Sequence, residues 1–354
     1  MTVLRTLIGV TSEPPPRPLV SVLIPVRDEP DALARCLRSL AAQTYPHDRI
    51  EVLVAEGDAG RVEQDAALLR DAGLPGKALA NPRRTTPCGL NVALDAARGE
   101  VIVLLGARAE VGPRFIEENV AALERTGADV VGGPVRMPAE GLLGRAVAAA
   151  MSSPFGVGDA RYRYAESEGP VDTVNYGAYR RSVFERIGRF DESLLNVEDD
   201  ELNYRLREAG GTLWLSPRIE VRYHGRRTLA GLARQYLRYG YPKVRVAVRH
   251  PGQLRARHLA PSALVAALGV GLFGAPWSRA ARALLAGTAG AYALANLAAS
   301  VRQASRQGWD LLPLLPAAYA AMHVCYGAGF LAGCVRFAPE VAAQLRRRRE
   351  AARG

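Results

Sequence analysis

The stretch VSVLIPVRDEPDALARCLRSLAAQTYPHDRIEVLVAEGD, residues 20–58, carries two short β-rich apolar runs, Val20 to Pro25 and Glu51 to Ala55, on either side of a helical pattern from Pro30 to Gln43. Strand, helix and strand at this spacing predict a βα unit. The alternation continues with helical stretches at Gln64 to Ala72, Thr86 to Arg98 and Pro113 to Thr126, and with apolar runs at Val101 to Leu105 and Val130 to Val135. Repetition of this unit predicts an α/β fold on a mostly parallel sheet, with ligands at the carboxyl ends of the strands. The 354 residues are 49% apolar and 23% charged, enough to bury a core and unlike collagenous, disordered or heptad-repeat chains.

A formal charge of +11 favours nucleic acid, anionic lipid or phosphorylated ligands as partners. No RNA-recognition signature, helix-turn-helix pattern or basic-aromatic strip accompanies it, so no nucleic-acid partner is expected. Cys36, Cys88, Cys325 and Cys334 form no CxxC pair and no zinc-like spacing with histidine, which points away from a disulfide framework or structural metal. Met1 to Val10 is apolar but short for a secretory signal, and Pro14-Pro15-Pro16 reads as an extended lead-in, residues 1–19. The amino-terminal domain is therefore expected in the cytoplasm.

Beyond His258 the composition changes. Leu259 to Trp277 and Ala283 to Val301 are each 19 residues without a charge, and Leu311 to Val335 is 25, the length a spanning helix needs. The alternative is a buried helical core. Arg245, Arg249, Arg255 and Arg257 before the first segment and Arg346 to Arg349 after the last both favour the cytoplasmic side, which three full crossings cannot satisfy. One segment is then interfacial or re-entrant, or the tail is exported. The expected organisation is a catalytic domain at 20–258, two to three membrane helices at 259–336 and a basic tail at 337–354.

Three places carry chemistry. The first two strands end in Ile24-Pro25-Val26-Arg27-Asp28-Glu29 and Val54-Ala55-Glu56-Gly57-Asp58, neighbouring turns whose carboxylates suit a base or ribose, although loop acids are also ordinary solvated turn formers. Asn81-Pro82-Arg83-Arg84-Thr85-Thr86 leads into a helix, with Thr86 as cap, and arginines there suit a diphosphate; solvated arginines on a capped helix are the bland alternative. Asn196-Val197-Glu198-Asp199-Asp200-Glu201 begins a helix whose Leu202, Leu206 and Ala209 share a face. Capping by Asn196, with Asp199 three residues on, accounts for part of that cluster. Four adjacent acids repel one another beyond what capping requires, and a carboxylate held at a cleft can take a proton from a hydroxyl.

Ile24-Pro25 with Arg27-Asp28-Glu29, then NPRRTTPCGLN (81–91), RGEVIVLL (98–105), SSPFGVGDARYRY (152–164), VDTVNYGAYRRSVFERIGRFDESL (171–194), EDDELNYRLR (198–207) and QYLRYGYPKV (235–244) follow one another in a characteristic order. From about Val20 to Pro251 the chain resembles glycosyltransferase family 2, in its succinoglycan-biosynthesis branch of membrane-associated exopolysaccharide enzymes. The resemblance implies a glycosyltransferase A fold, a nucleotide-diphosphate sugar donor, inversion, and a lipid-linked saccharide acceptor at the cytoplasmic face of the plasma membrane. It implies a nucleotide-sugar pocket lined by Pro25, Arg27, Glu29, Glu56, Arg84, Asn91 and Arg108, Glu56 standing where the family carries Asp. Asp199, with Glu198 beside it, stands as the base that deprotonates the acceptor. Gly177, Ala178 and Asp200 are expected at the acceptor, and Gln235, Arg238 and Tyr239 resemble the QxxRW element near diphosphate and acceptor; an amphipathic interfacial helix is the alternative for that segment.

One departure stands out. The family holds Mg or Mn with an acid at the end of the fourth strand, in an Asp-x-Asp or Asp-x-His pattern, whereas this chain reads Leu105-Gly106-Ala107-Arg108-Ala109-Glu110. Three readings compete. Arg108 neutralises the diphosphate as a delocalised cation, a metal is held elsewhere by Glu110, Glu56 or His224, or the chain is a silent nucleotide-sugar-binding membrane protein. His224 is more readily read as a surface residue after a strand than as a ligand. A dinucleotide-dependent oxidoreductase lacks its GxGxxG turn here.

Overall fold

The computed structural model describes residues 17–225 and 228–340, with 342, 343 and 346. Most of the lead-in and residues 347–349 of the basic tail lie outside the described residues. In chain order the elements begin β1 (Val20–Val26), α1 (Pro30–Ala41), β2 (Ile50–Glu56), α2 (Val62–Asp71), β3 (Gly76–Ala80), α3 (Thr86–Ala96), β4 (Val101–Leu104), β5 (Ala109–Val111), α4 (Phe115–Thr126), β6 (Val130–Gly132) and β7 (Val135–Arg136). They continue with α5 (Gly141–Met151), α6 (Pro154–Val157), β8 (Gly169–Pro170), β9 (Ala178–Arg180), α7 (Arg181–Ile187), α8 (Glu198–Glu208), β10 (Leu213–Leu215) and β11 (Val221–Tyr223). Four long helices follow: α9 (Leu229–Arg249), α10 (Ala256–Gly274), α11 (Arg279–Gln307) and α12 (Leu315–Arg336).

The main sheet runs β3-β2-β1-β4-β9-β6-β10-β8, and a small second sheet runs β5-β11-β7. β1 is parallel to β2 and β4, with Val22 opposite Val52 and Val103. Because side chains alternate along a strand, Val22, Ile24, Val52, Val54 and Val103 meet Leu33, Leu37 and Phe115 of α1 and α4 on one face. Leu23, Leu53, Ile102 and Leu104 meet Leu90 and Leu94 of α3 and Leu202 and Leu206 of α8 on the other. Both faces are covered, which is why these strands are continuous apolar runs. β9 enters antiparallel between β4 and β6, so the sheet is mixed.

The single strand expected over Val130 to Val135 is two, β6 in the main sheet and β7 in the small one. The chain changes sheet at Gly133, where a Cβ would meet the Ile219 carbonyl oxygen at 1.5 Å. Ala209, expected on the buried face of α8, instead follows the helix and is exposed.

α10, α11 and α12 are each long and apolar enough to cross a membrane. Val270, Leu272, Phe273 and Leu294 project outward, more than 60% exposed, as lipid-facing side chains do. α12 is the best packed of the three: Leu315, Tyr319 and Met322 share a core with Ala146 and Met151 of α5 and with Leu232 and Tyr236 of α9. Packing therefore runs across residue 258. α9 and α12 approach closely at Gly240, Gly329 and Gly333, where a Cβ would fall 2.1, 2.3 and 2.5 Å from carbonyl oxygens of the facing helix. Small residues are what such backbone contact requires.

Candidate active site

The carboxyl ends of β1, β3 and β4, the start of α8 and one residue of α9 enclose a cleft of about 430 Å³. Pro25, Arg27 and Glu29 follow β1, Asn81 and Arg84 follow β3, and Gly106 and Arg108 follow β4. Asn196, Glu198 and Asp199 face them, with Asn175, Tyr176, Tyr223 and Tyr239 completing the wall. Asp28, Arg84, Tyr176 and Asn196, at φ 50, 57, 55 and 64°, are the four described non-glycine residues in the left-handed region. Arg84, Tyr176 and Asn196 line this cleft, and Asp28 sits between the lining residues Arg27 and Glu29. Such backbone is costly for residues with a Cβ and gathers where function demands a particular side-chain placement.

The four acids of α8 part company. The residue preceding the helix is Val197, not Asn196, and no side chain caps it; the left-handed Asn196 lines the cleft. Glu198 and Asp199 line the cleft. One Asp199 oxygen accepts the Asp200 N–H at 2.8 Å, and Oε2 of Glu198 is buried with no hydrogen-bond partner. Burial, and then the Asp200 charge, push the Asp199 carboxyl up to about 6; burial, and then Asp199, push Glu198 up to about 7.

Asp200 does not join them, because it points at α9 and pairs with the buried Lys243. Burial opposes ionisation of Asp200, yet the Lys243 ammonium holds it below the usual carboxylate range. Glu201 is 2% exposed; its oxygens accept from Arg205 Nε and Nη2 at 2.6 and 3.0 Å, and His250 lies at 3.1 Å. Half of the cluster is thus structural.

Several expected pocket residues lie off the cleft wall. Glu56 is 1% exposed and accepts the N–H groups of Asp58 at 2.6 Å and Asp28 at 3.2 Å, which fastens the two neighbouring turns together. Asp65 of α2 lies against Glu56, and burial, then the neighbouring Glu56 carboxyl, push its carboxyl up to about 7. Asn91 ties α3 to the 190–192 segment, donating to Phe190 O and Glu192 Oε1 and accepting from Phe190 N. Gly177 and Ala178 are buried at β9, the Gly177 carbonyl accepting from Leu104 N at 3.0 Å and Ala178 paired with Val103 and Val131. Their immediate predecessors Asn175 and Tyr176 form the wall instead.

On α9 only Tyr239 reaches the cleft. Gln235, one turn earlier, donates to the Tyr239 hydroxyl at 2.8 Å and orients it. Arg238, about 100° around the helix from Tyr239, is exposed.

Arg108 is held by Glu29 through two hydrogen bonds of 2.6 Å, a bidentate pair that raises its already high pKa. Arg27 and Arg84 line the same cleft and, among the described residues, have no ion-pair partner. Glu110 faces away, meeting His224 at 2.8 Å and Arg35 at 3.6 Å. A Cβ at Gly106 would lie 3.2 Å from the Tyr176 ring, so the phenol stands where the family's acid would project. The described residues include no group of three His, Cys, Asp or Glu able to hold a metal ion. A guanidinium where a ligand is expected, and a phenol over Gly106, do not fit a divalent cation.

Residues 15–241 match the family described as glycosyltransferase-like family 2. The chain belongs to that family. Succinoglycan biosynthesis protein ExoA of Rhizobium meliloti (strain 1021) is 25% identical over 324 residues, 91% of this chain and 96% of the relative. A dolichyl N-acetyl-alpha-D-glucosaminyl phosphate 3-beta-D-2,3-diacetamido-2,3-dideoxy-beta-D-glucuronosyltransferase of Methanococcus voltae is 24% identical over 233 residues, 63% of this chain and 72% of the relative. The fold matches the solved mannosyltransferase PcManGT from Pyrobaculum calidifontis, in complex with GDP-Man and Mn2+, at a TM-score of 0.58 and 20% identity over 90% of this chain and 87% of that one. The mixed sheet with flanking helices is a glycosyltransferase A fold.

Asn175, Tyr176 and Tyr223 line the cleft beyond the residues expected from the motifs. Tyr176 lies directly before Gly177 in VDTVNYGAY, and nothing local announces a left-handed tyrosine.

Proposed function

We propose that this protein is an inverting glycosyltransferase that moves a sugar from a nucleotide-diphosphate donor to a lipid-linked saccharide in exopolysaccharide or cell-envelope glycan synthesis. It would work at the cytoplasmic face of the plasma membrane. The observation that carries the reading is the convergence of the Glu198-Asp199 pair with Arg27 and Arg84, which have no ion-pair partner among the described residues, on one cleft at the carboxyl edge of the sheet. ExoA, named for succinoglycan biosynthesis, and the Methanococcus transferase, named for a dolichyl phosphate-linked sugar, support the substrate classes.

In this mechanism the Asp199 carboxylate takes the proton of the acceptor hydroxyl as its oxygen attacks the anomeric carbon. The bond to the nucleoside diphosphate breaks on the opposite side, and a single displacement inverts the centre. Negative charge grows on the departing diphosphate. Arg27 and Arg84, the latter just before the amino terminus of α3, meet that charge with preorganised donors. Arg108 contributes from its Glu29 pair. Family members use Mg or Mn for this task, which the residues at this cleft do not fit; the guanidinium groups carry it instead.

Donor turnover by the purified chain in detergent, with and without lipid-linked saccharide, tests the proposal. Equal rates for wild type and Asp199→Asn would instead favour a silent nucleotide-sugar-binding protein, the reading to which Gly106 and Arg108 lend support.

A further inference from the structure

A second, larger cavity of about 1350 Å³ lies among α6, α9, α10, α11 and α12. Its body is apolar, walled by residues such as Leu264, Ala267, Ala291 and Met322. Tyr239 lines both this groove and the cleft that holds Asp199, so the two spaces meet at that ring. At the same end stands Arg163, 8% exposed and set over the Tyr162 ring at 5.0 Å. Among the described residues its Nη1 has no hydrogen-bond partner and the side chain no ion-pair partner. Arg257, in the same groove, is by contrast held by Asp159 and Asp172.

A guanidinium cannot shed its proton, and a buried cation without a counter-charge is strongly disfavoured. Tyrosine faces offset only part of that cost. The buried Tyr326 hydroxyl, also on the groove wall, has no partner either. A long apolar groove that ends in an unpaired buried cation beside a cleft complements an amphiphile with an anionic head.

We propose that Arg163 binds the phosphate of a polyprenyl-phosphate-linked acceptor whose chain lies in the groove between α10, α11 and α12. The inference rests on the lipid-linked acceptor reading above and gives it a location. The head at Arg163 leaves the attached sugar next to Tyr239 and the Asp199 carboxylate.

The test measures binding to the full chain in detergent, by native mass spectrometry, of a long-chain polyprenyl monophosphate, the matching polyprenol, inorganic phosphate and a nucleoside diphosphate. The phosphorylated lipid should bind about tenfold or more tightly than the polyprenol, as expected of hydrogen bonds to a charged group. Arg163→Gln should erase that preference and leave nucleoside diphosphate binding unchanged. Gly287 lines the groove and has no atom within 4 Å of an added Cβ, so Gly287→Phe should weaken binding of both lipids.

Equal affinity for polyprenol and polyprenyl phosphate, unchanged binding in Arg163→Gln, or displacement of the lipid by inorganic phosphate or nucleotide would overturn the proposal. Should Arg163→Gln fail to fold, the polyprenol comparison and Gly287→Phe decide alone. A chain that binds polyprenyl phosphate through Arg163 yet transfers no sugar to a polyprenyl-linked saccharide would refute the acceptor reading and keep the site. Transfer to such a saccharide with no phosphate preference would do the reverse.

Discussion

Replacing Asp199 by Asn removes one charge and almost no volume from the cleft, so it separates proton transfer from binding. A positioned general base contributes about 10²–10⁴ in rate, and transfer should fall by that factor while donor affinity stays within about threefold. The same change should stabilise the fold at neutral pH. With its folded pKa of about 6 above the ordinary carboxylate value, Asp199 favours the protonated state on folding. Wild type therefore loses stability as pH rises through about 6, and Asn cannot lose it. A shift of this size corresponds to ~1–2 kcal/mol once discounted for solvent at a cleft, because one pKa unit is worth ~1.4 kcal/mol. Transfer by wild type should itself rise with pH through about 6 as the carboxylate ionises.

The assay is single-turnover transfer to a lipid-linked saccharide fraction over about pH 5 to 8, with thermal unfolding on the same samples. Retention of more than about a tenth of wild-type transfer, a variant less stable than wild type at neutral pH, or wild-type transfer that declines between about pH 5 and 7 would refute the reasoning.

Chelation of divalent cations should slow transfer by no more than about twofold, since a charged guanidinium supplies several donors where the family's acid stands; full loss restored by Mn or Mg would reject the role given to Arg108. Asp65→Asn should raise the unfolding temperature at about pH 8 and leave it unchanged near pH 4, because a buried carboxyl with its folded pKa raised to about 7 loses stability progressively as pH rises from the ordinary carboxylate range through about 7; equal effects at both pH values would disprove that assignment. Lys243→Met should destabilise the chain by about 3–5 kcal/mol by stranding Asp200, and Asp200→Asn in the same chain should recover much of that loss. Additive effects in a denaturation cycle would show that the two do not act as a pair.

Several features were legible in the chain because they depend on neighbours a few residues away. The runs that became β1, β2 and β4 are apolar on both faces of the sheet, and the three long apolar helices follow from composition. The arginines before α3 and the acids opening α8 were equally visible, and of them Arg84, Glu198 and Asp199 reach the cleft. β3, with its partly exposed side chains, has no apolar pattern and no expectation covered it.

What the tertiary structure alone decided is which member of each motif does what. Successive residues of α8 point about 100° apart, so partners far along the chain divide its acids. Lys243, 43 positions after Asp200, and His250, 49 after Glu201, withdraw two of them from the cleft and leave Glu198 and Asp199. Glu56 passes beneath its loop because the Asp28 and Asp58 amides need an acceptor there, and Arg108 is engaged by Glu29, 79 positions earlier. Arg163 is ordinary among 46 basic residues and becomes distinctive only once folding buries it with no counter-charge among the described residues. Local pattern specifies what a segment becomes, while the desolvation and pairing of charges depend on segments that only the fold brings together.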